Sequence, residues 1–139
     1  MTGPNWNEVF IVYVEDDPAS RQVMALILEK AMGIKTYVIY ENSANLMEKL
    51  GKLVSRPDIF LLDIHMTPQD GFEVLQLLRA DPVYRSVTVI ALTASVMNEE
   101  VSRLRAAGFN GAISKPLDHR YFPDLLKRIA NGEAVWNIS

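Results

Sequence analysis

Cysteine is absent from this chain of 139 residues, and histidine occurs only twice. The first absence excludes disulfide bonds and thiolate-bound metals, and an isolated histidine such as His65 lacks the partners that zinc needs. Clusters of basic residues are also missing, and a net charge of −3 gives no electrostatic footprint for nucleic-acid binding. No apolar run approaches the ~20 residues of a membrane span, and the N-terminus lacks the basic and apolar regions of a signal peptide. We therefore expect a cytoplasmic protein that binds neither nucleic acid nor membrane.

The residues that are present have a normal globular balance, 49% apolar and 22% charged. The length predicts one domain, 1–139, with a core of about 9–131 and a C-terminal tail of 132–139. Five apolar runs are mostly continuous rather than alternating, which is typical of strands buried on both faces. The runs are Val9–Val14, Thr36–Tyr40, Ile59–Leu62, Val87–Leu92 and Asn110–Ile113.

Helical patterns, with apolar residues three or four positions apart, follow each of these runs. Asp17 and Pro18 mark the start of the first helix, as a cap and a first-turn proline. Ser43 is predicted to cap the second helix, and the third follows Gly71. Because strand and helix alternate five times, short connections and right-handed crossovers predict a parallel sheet with helices on both faces.

Acidic residues follow two of the predicted strands at the points where they end. Glu15, Asp16 and Asp17 come directly after the first strand, and Asp63 closes the third. In a parallel α/β sheet these ends meet at one edge, where ligands bind. Neighbouring carboxylates in a partly buried site repel one another, and Mg²⁺ removes that conflict with the oxygen ligands it prefers. The sequence therefore predicts a magnesium site, with Asp17 set aside as a helix cap.

Two further polar residues follow strands at the same edge. Thr93 comes at the end of the fourth strand, in "VIALTAS", and Lys115 follows the fifth, in "ISKP". Carboxylates, a hydroxyl and an ammonium around a metal site suit phosphoryl transfer, in which positioning and charge neutralisation do most of the work. Asp63 is then a candidate nucleophile that forms an aspartyl phosphate.

The order of these motifs, "VEDDP", "LLDIHM…DG", "ALTA" and "SKP", resembles the receiver domains of two-component response regulators. The resemblance extends from about Val9 to Ile129. It implies a flavodoxin-like, doubly wound α/β fold with five helices and a five-stranded parallel sheet in the order 2-1-3-4-5.

The same resemblance implies a role for each residue of the site. Asp63 is the phosphoacceptor, and Thr93 and Lys115 contact the phosphoryl oxygens. The Mg²⁺ ligands are Asp16 directly, Glu15 through water, Asp63 and the backbone carbonyl of His65. The phosphoryl donor is a sensor histidine kinase or a histidine phosphotransfer protein, and the output is contact with a downstream protein target.

The chain departs from the family pattern at two places. Thr67 stands where a proline is common, with Pro68 one position later. Ala112, on the fifth strand, replaces the usual aromatic residue, and Phe109 lies in the preceding turn. We therefore expect the signal to leave through the fourth helix, fifth strand and fifth helix without an aromatic toggle.

A second interpretation is an Mg²⁺-dependent phosphohydrolase with an aspartyl-phosphate intermediate. Such enzymes typically carry a second aspartate two residues after the nucleophile, where this chain has His65. A nucleotide-binding module is a third interpretation, but no glycine-rich phosphate loop occurs. We expect a stand-alone phosphoacceptor rather than an enzyme, with slow self-catalysed phosphorylation and dephosphorylation.

Trp6 and Trp136 are expected to be packing anchors, and the tail 132–139 either packs on the domain or docks a partner.

Overall fold

The fold is known from a computed structural model that describes residues 5–95 and 97–136. The ends of the predicted domain 1–139 and of the predicted tail 132–139 lie outside the described residues. Five strands and five helices alternate along the chain. The strands are β1 (Phe10–Val14), β2 (Thr36–Tyr40), β3 (Ile59–Asp63), β4 (Thr88–Thr93) and β5 (Gly111–Ser114). The helices are α1 (Pro18–Leu26), α2 (Leu46–Gly51), α3 (Gly71–Ala80), α4 (Asn98–Ala107) and α5 (Phe122–Ala130), and a π-helical segment (Ile27–Ala31) continues α1.

All neighbouring strands pair in parallel, in the order β2-β1-β3-β4-β5, which confirms the predicted topology. Two apolar clusters lie on opposite faces of this sheet. Side chains of α2, α3 and α4 pack on the face that we call the α2–α3–α4 face. Side chains of α1 and α5 pack on the other, the α1–α5 face. Successive strand residues contribute to the two clusters in turn, because their side chains point to opposite faces.

The predicted cap of α2 is wrong. The helix begins at Leu46, after Asn45 in the left-handed conformation with φ 54°, and no side chain caps it. Ser43 is buried instead, and its Oγ donates to the Gln69 carbonyl at 2.6 Å and accepts from the Gln69 amide at 2.8 Å. The buried hydroxyl therefore connects the loop after β2 to the loop after β3, across 26 residues, and both donates and accepts a hydrogen bond there.

Trp6 and Trp136, near the two chain ends, were predicted to be packing residues. Trp6 and Trp136 are half-buried and pack on the α1–α5 face and the α2–α3–α4 face respectively, which confirms both as packing residues. Within the described residues, no helix combines the length and the apolar character needed to cross a bilayer.

Candidate functional site

The carboxyl ends of β1, β3, β4 and β5 converge on one cleft of about 410 Å³. Parallel pairing places Asp63 beside Leu92 and Thr93 beside Ser114, so the residues that close neighbouring strands arrive at the same level. The cleft is lined by Glu15, Asp16, Asp17, Ser20, Asp63, His65, Ala94, Lys115 and Pro116. The polar residues at the ends of β1, β3 and β5 therefore meet in one cleft, and β4 contributes Ala94, the residue after Thr93.

Three carboxylates in this cleft lie close enough to share a cation. Glu15, Asp16 and Asp63 each offer an oxygen, and these oxygens all lie within 4.8 Å of one another. Glu15 and Asp63 are buried, whereas Asp16 is exposed. Hard carboxylate oxygens with an open side toward solvent fit Mg²⁺, which takes oxygen ligands and keeps several waters.

Lys115 neutralises part of this acidic cluster. Its Nζ donates to Glu15 Oε1 at 2.9 Å and to Asp63 Oδ1 at 3.3 Å, and its side chain is only 20% exposed. Burial alone would lower the pKa of the ammonium, but the hydrogen bonds and charges of the two carboxylates raise it above its ordinary value. When all four groups are ionised, three carboxylates and one ammonium leave two negative charges, which equals the charge of one divalent cation.

Glu15 is held in place by an unexpected partner, Tyr13. The Tyr13 hydroxyl donates to Glu15 Oε1 at 2.9 Å inside the protein, and the amide of Asp17 donates to Oε2 at 3.3 Å. Burial favours the protonated form of Glu15, but hydrogen bonds led by the one from Lys115 hold its pKa below the ordinary value. Burial and the nearby Glu15 charge raise the pKa of Tyr13, so the tyrosine remains a donor. The available signal was the period of two along β1, which places Tyr13 and Glu15 on one side of the strand.

The electrostatic environment of Asp63 differs from that of Glu15. Burial, followed by the adjacent Glu15, raises the pKa of Asp63 from 3.8 to about 6, and Lys115 only partly opposes this. Without a metal, the repulsion within the cluster therefore disfavours the ionised form of Asp63. A cation that contacts both carboxylates would relieve this repulsion and favour the ionised form of Asp63, which is the nucleophilic form.

Of the two remaining candidates, His65 lines the cleft, whereas Thr93 is buried beside Ala94, which lines it. Thr93 closes β4 and is 1% exposed, and its Oγ1 donates to the Ser95 carbonyl at 3.2 Å and accepts from the Ser95 amide at 3.1 Å. His65 is exposed, and its amide donates to Asp63 Oδ1 at 3.4 Å. Two roles stay predictions. One is that of the His65 carbonyl as a metal ligand, and the other is the contact of Thr93 and Lys115 with phosphoryl oxygens.

Asp17 does not belong to the close carboxylate cluster. Its side chain accepts from the Ser20 amide at 3.0 Å and the Ser20 hydroxyl at 2.7 Å, which caps α1. These hydrogen bonds hold the pKa of Asp17 below its ordinary value. Its predicted role as a helix cap is confirmed.

The sequence is similar to known proteins over most of its length. A family model described as the response regulator receiver domain matches residues 11–129. The response regulator DivK of Brucella anthropi is 31% identical over 118 residues, which cover 84% of this chain and 92% of DivK. The histidine-protein kinase BarA of Shigella flexneri is 26% identical over 125 residues, 90% of this chain, but the matched part spans only 13% of BarA.

A solved structure shows the same fold. The receiver domain of the sensor histidine kinase PA1611 of Pseudomonas aeruginosa superposes with a TM-score of 0.74 at 24% identity. The match covers 88% of this chain and 97% of that one. In that protein a magnesium ion is coordinated in the active-site cleft.

Proposed function

This chain belongs to the response regulator receiver domain family, and we propose that Asp63 accepts a phosphoryl group from a histidine of a partner protein in an Mg²⁺-dependent reaction. The observation that carries the proposal is the position of Asp63. It is buried at the end of β3, with one oxygen 3.3 Å from the Lys115 ammonium and with Glu15 and Asp16 beside it. A carboxylate in this setting is a nucleophile beside groups that neutralise phosphoryl oxygens.

The proposed transfer is a nucleophilic substitution at phosphorus. A carboxylate oxygen of Asp63 forms the new P–O bond while the P–N bond of a phosphohistidine breaks. The imidazole nitrogen leaves with the electron pair and takes up a proton. Lys115, already close to the attacking carboxylate, neutralises charge on the phosphoryl oxygens, and the Thr93 hydroxyl donates to one of them.

Glu15, Asp16, Asp63 and the backbone carbonyl of His65 are the groups that would hold Mg²⁺. The carboxylate set fits because its oxygens lie together and two negative charges remain after pairing with Lys115. When bound, the ion supplies charge neutralisation to the phosphoryl oxygens during transfer. The receiver of PA1611, which has the same fold, carries magnesium in its cleft and supports this choice of metal.

The chemistry of phosphoryl transfer and the kinds of protein among the relatives support the choice of partners. The donor is a sensor histidine kinase or a histidine phosphotransfer protein, and a downstream protein target reads the phosphorylated state. The chain serves as a phosphoacceptor in the cytoplasm, without binding nucleic acid or membrane, and it does not act as an enzyme on other substrates. No observation favours a phosphohydrolase, because exposed His65 carries no carboxyl group at the position of a second aspartate.

Incubation of the purified protein with Mg²⁺ and acetyl phosphate tests the function. Intact mass measurement is expected to show one added phosphoryl group, and peptide mapping after borohydride reduction should place it at Asp63. The matched control contains EDTA in place of Mg²⁺ and should show almost none. Absence of the adduct, or an adduct at a different residue, would refute the proposal.

Replacing Asp16 with asparagine is expected to remove most of the stabilisation by Mg²⁺. A ligand that binds only the folded protein stabilises it by about 2.7 kcal/mol at about one hundred times its Kd. Asp16 supplies one of the three clustered oxygens, and the neutral amide of an asparagine in its place has no charge to attract the ion. Urea unfolding with and without Mg²⁺ measures the gain.

Asp17→Asn is the matched control for this substitution. It removes the same charge one residue away, and asparagine caps helices as well as aspartate does. Asp17→Asn should keep the Mg²⁺ gain of the wild type. An undiminished gain in Asp16→Asn, or an equal loss in both variants, would show that Asp16 is not a metal ligand.

A further inference from the structure

The segment after α5 crosses the open edge of the sheet. Residues 133–136, which we call the C-terminal strap, lead from α5 to the outer side of β5, the last strand in the sheet order. The amide of Ala112 on β5 donates to the carbonyl of Val135 at 3.0 Å. The strap thus occupies an edge whose backbone groups would otherwise be available for pairing.

The two large apolar side chains of the strap, those of Val135 and Trp136, pack on opposite faces of the sheet. Val135 is 3% exposed and belongs to the cluster on the α1–α5 face. Trp136 packs against the cluster on the α2–α3–α4 face, and the Arg105 guanidinium of α4 lies 5.4 Å from the centre of its ring. Ala112 on β5 has only a methyl side chain, whereas the strap brings the ring of Trp136 to Arg105 of α4. The strap therefore links β5 to α4.

Helix α4 buries few of its side chains. All of its ten residues are described, and Leu104 alone among them is buried. Met97, directly before the helix, is 72% exposed. The Arg103 guanidinium lies 4.7 Å from the ring centre of Phe72 on α3, and Arg105 meets Trp136. An element with so few buried contacts moves at low cost, so each remaining contact has a large influence on its position.

The start of α4 is connected to the phosphoryl site through Thr93. The Thr93 hydroxyl closes the turn at Ser95, three residues before α4 begins at Asn98. A phosphoryl group on Asp63 brings new acceptor oxygens to the cleft. If the Thr93 hydroxyl donates to one of them, its bond to the Ser95 carbonyl is lost and the turn that leads to α4 is released.

We propose that the C-terminal strap is an autoinhibitory contact, which holds α4 in its unphosphorylated position through Trp136 and Arg105 and is opposed by phosphorylation of Asp63. This inference rests on the proposed function. Coupling between two events is reciprocal in free energy. If phosphorylation weakens the strap contact, then weakening the strap contact strengthens binding of a phosphoryl mimic at Asp63.

The test is a titration of the full chain with beryllofluoride in the presence of Mg²⁺. Trp136→Ala should bind the mimic roughly fivefold or more tightly than the wild type, the low end of typical coupling. Arg105→Ala, a change at an exposed helix position that leaves the ring of Trp136 in place, should shift the affinity in the same direction. Arg105→Ala keeps the test decisive if Trp136→Ala fails to fold.

Trp6 provides the matched control. The ammonium of Lys127, a residue of α5, lies 5.7 Å from the centre of the Trp6 ring. This cation–aromatic contact is of the same kind as that between Arg105 and Trp136, but it lies on the α1–α5 face and does not involve α4. Trp6→Ala should leave the affinity for beryllofluoride unchanged. In a Trp6→Phe background, fluorescence reports on Trp136 alone, and its emission should shift to longer wavelength as the mimic saturates the site.

The outcomes separate the inference from the proposed function. If beryllofluoride binds the wild type but Trp136→Ala and Arg105→Ala bind it no more tightly, the strap is only structural and the inference is overturned. Unchanged Trp136 emission at saturation would overturn it equally. If beryllofluoride does not bind the wild type at all, the proposed function fails and the inference falls with it.

Discussion

Asp63→Asn is expected to abolish phosphoryl acceptance and, in the same variant, to raise the stability of the metal-free protein at about pH 7.5. The first effect follows because an amide has no carboxylate oxygen to attack phosphorus. The second follows because the buried Asp63 carboxylate repels Glu15, whereas an asparagine amide in its place can donate a hydrogen bond to Glu15. Opposite effects on function and stability would exclude unfolding as the cause of the lost activity.

The pH dependence of this gain has a definite sign. The pKa of Asp63 is about 6 in the folded protein, against an ordinary 3.8, because of burial and then Glu15. The folded state binds the proton more tightly, so this group's contribution to stability is present below about pH 4 and is lost as the pH rises through about 6. A shift of this size corresponds to at most about 3 kcal/mol at roughly 1.36 kcal/mol per unit. The lowered pKa of Glu15 has the opposite sign and offsets part of it.

We therefore expect Asp63→Asn to be more stable than the wild type by roughly 1–2 kcal/mol at about pH 7.5, with the difference shrinking toward about pH 5. Urea unfolding in EDTA across this range measures it, and intact mass after acetyl phosphate treatment measures acceptance. Asp58→Asn is the control, because Asp58 is exposed and accepts from the Phe10 amide at the far end of β1. A phosphorylated Asp63→Asn protein, or one less stable than the wild type at that pH, would contradict this account.

Gly71→Ala is expected to destabilise the protein by roughly 2–3 kcal/mol, as overpacking of a well-packed site does. A Cβ at Gly71 would lie 3.0 Å from the Asp63 carbonyl oxygen, 3.0 Å from Ile64 Cα and 2.9 Å from Ile64 Cδ1. Two of these atoms are backbone, so relief requires α3 to move away from the end of β3. The Gly71 amide donates to the Ile64 carbonyl at 3.0 Å, and this hydrogen bond would lengthen.

Because the displaced backbone carries Asp63, Gly71→Ala should also slow phosphorylation in samples that are fully folded. Gly51→Ala is the matched control: Gly51 is the last residue of α2, and a Cβ there meets nothing within 4 Å. Alanine at that position should be neutral or stabilising by up to about 1 kcal/mol. Urea unfolding of both variants decides the matter, and equal stability of the two would refute the close-packing argument.

Much of the fold and of the site was predictable because the signals are local. Continuous apolar runs separated by helical patterns predict a parallel sheet, and the strand order that the resemblance to receiver domains implied is confirmed. Glu15, Asp16 and Asp63 lie at the ends of their strands or directly after them, so the topology alone brings their oxygens together. Strand bounds differ by one residue at β1, β3, β4 and β5, because an apolar run does not mark where ladder hydrogen bonds begin and end.

The layered architecture and the polar residues near the cleft can be inferred from the sequence, since both follow from periodicity and from the identity of residues at strand ends. The pairing of these residues became known only from the folded structure. Lys115 meets Glu15 across 100 residues, Ser43 meets Gln69 across 26, and the strap meets β5 and α4 at the sheet edge. Such pairings depend on distances and burial after packing, and the best partner of a buried polar group is set by what surrounds it rather than by its neighbours along the chain.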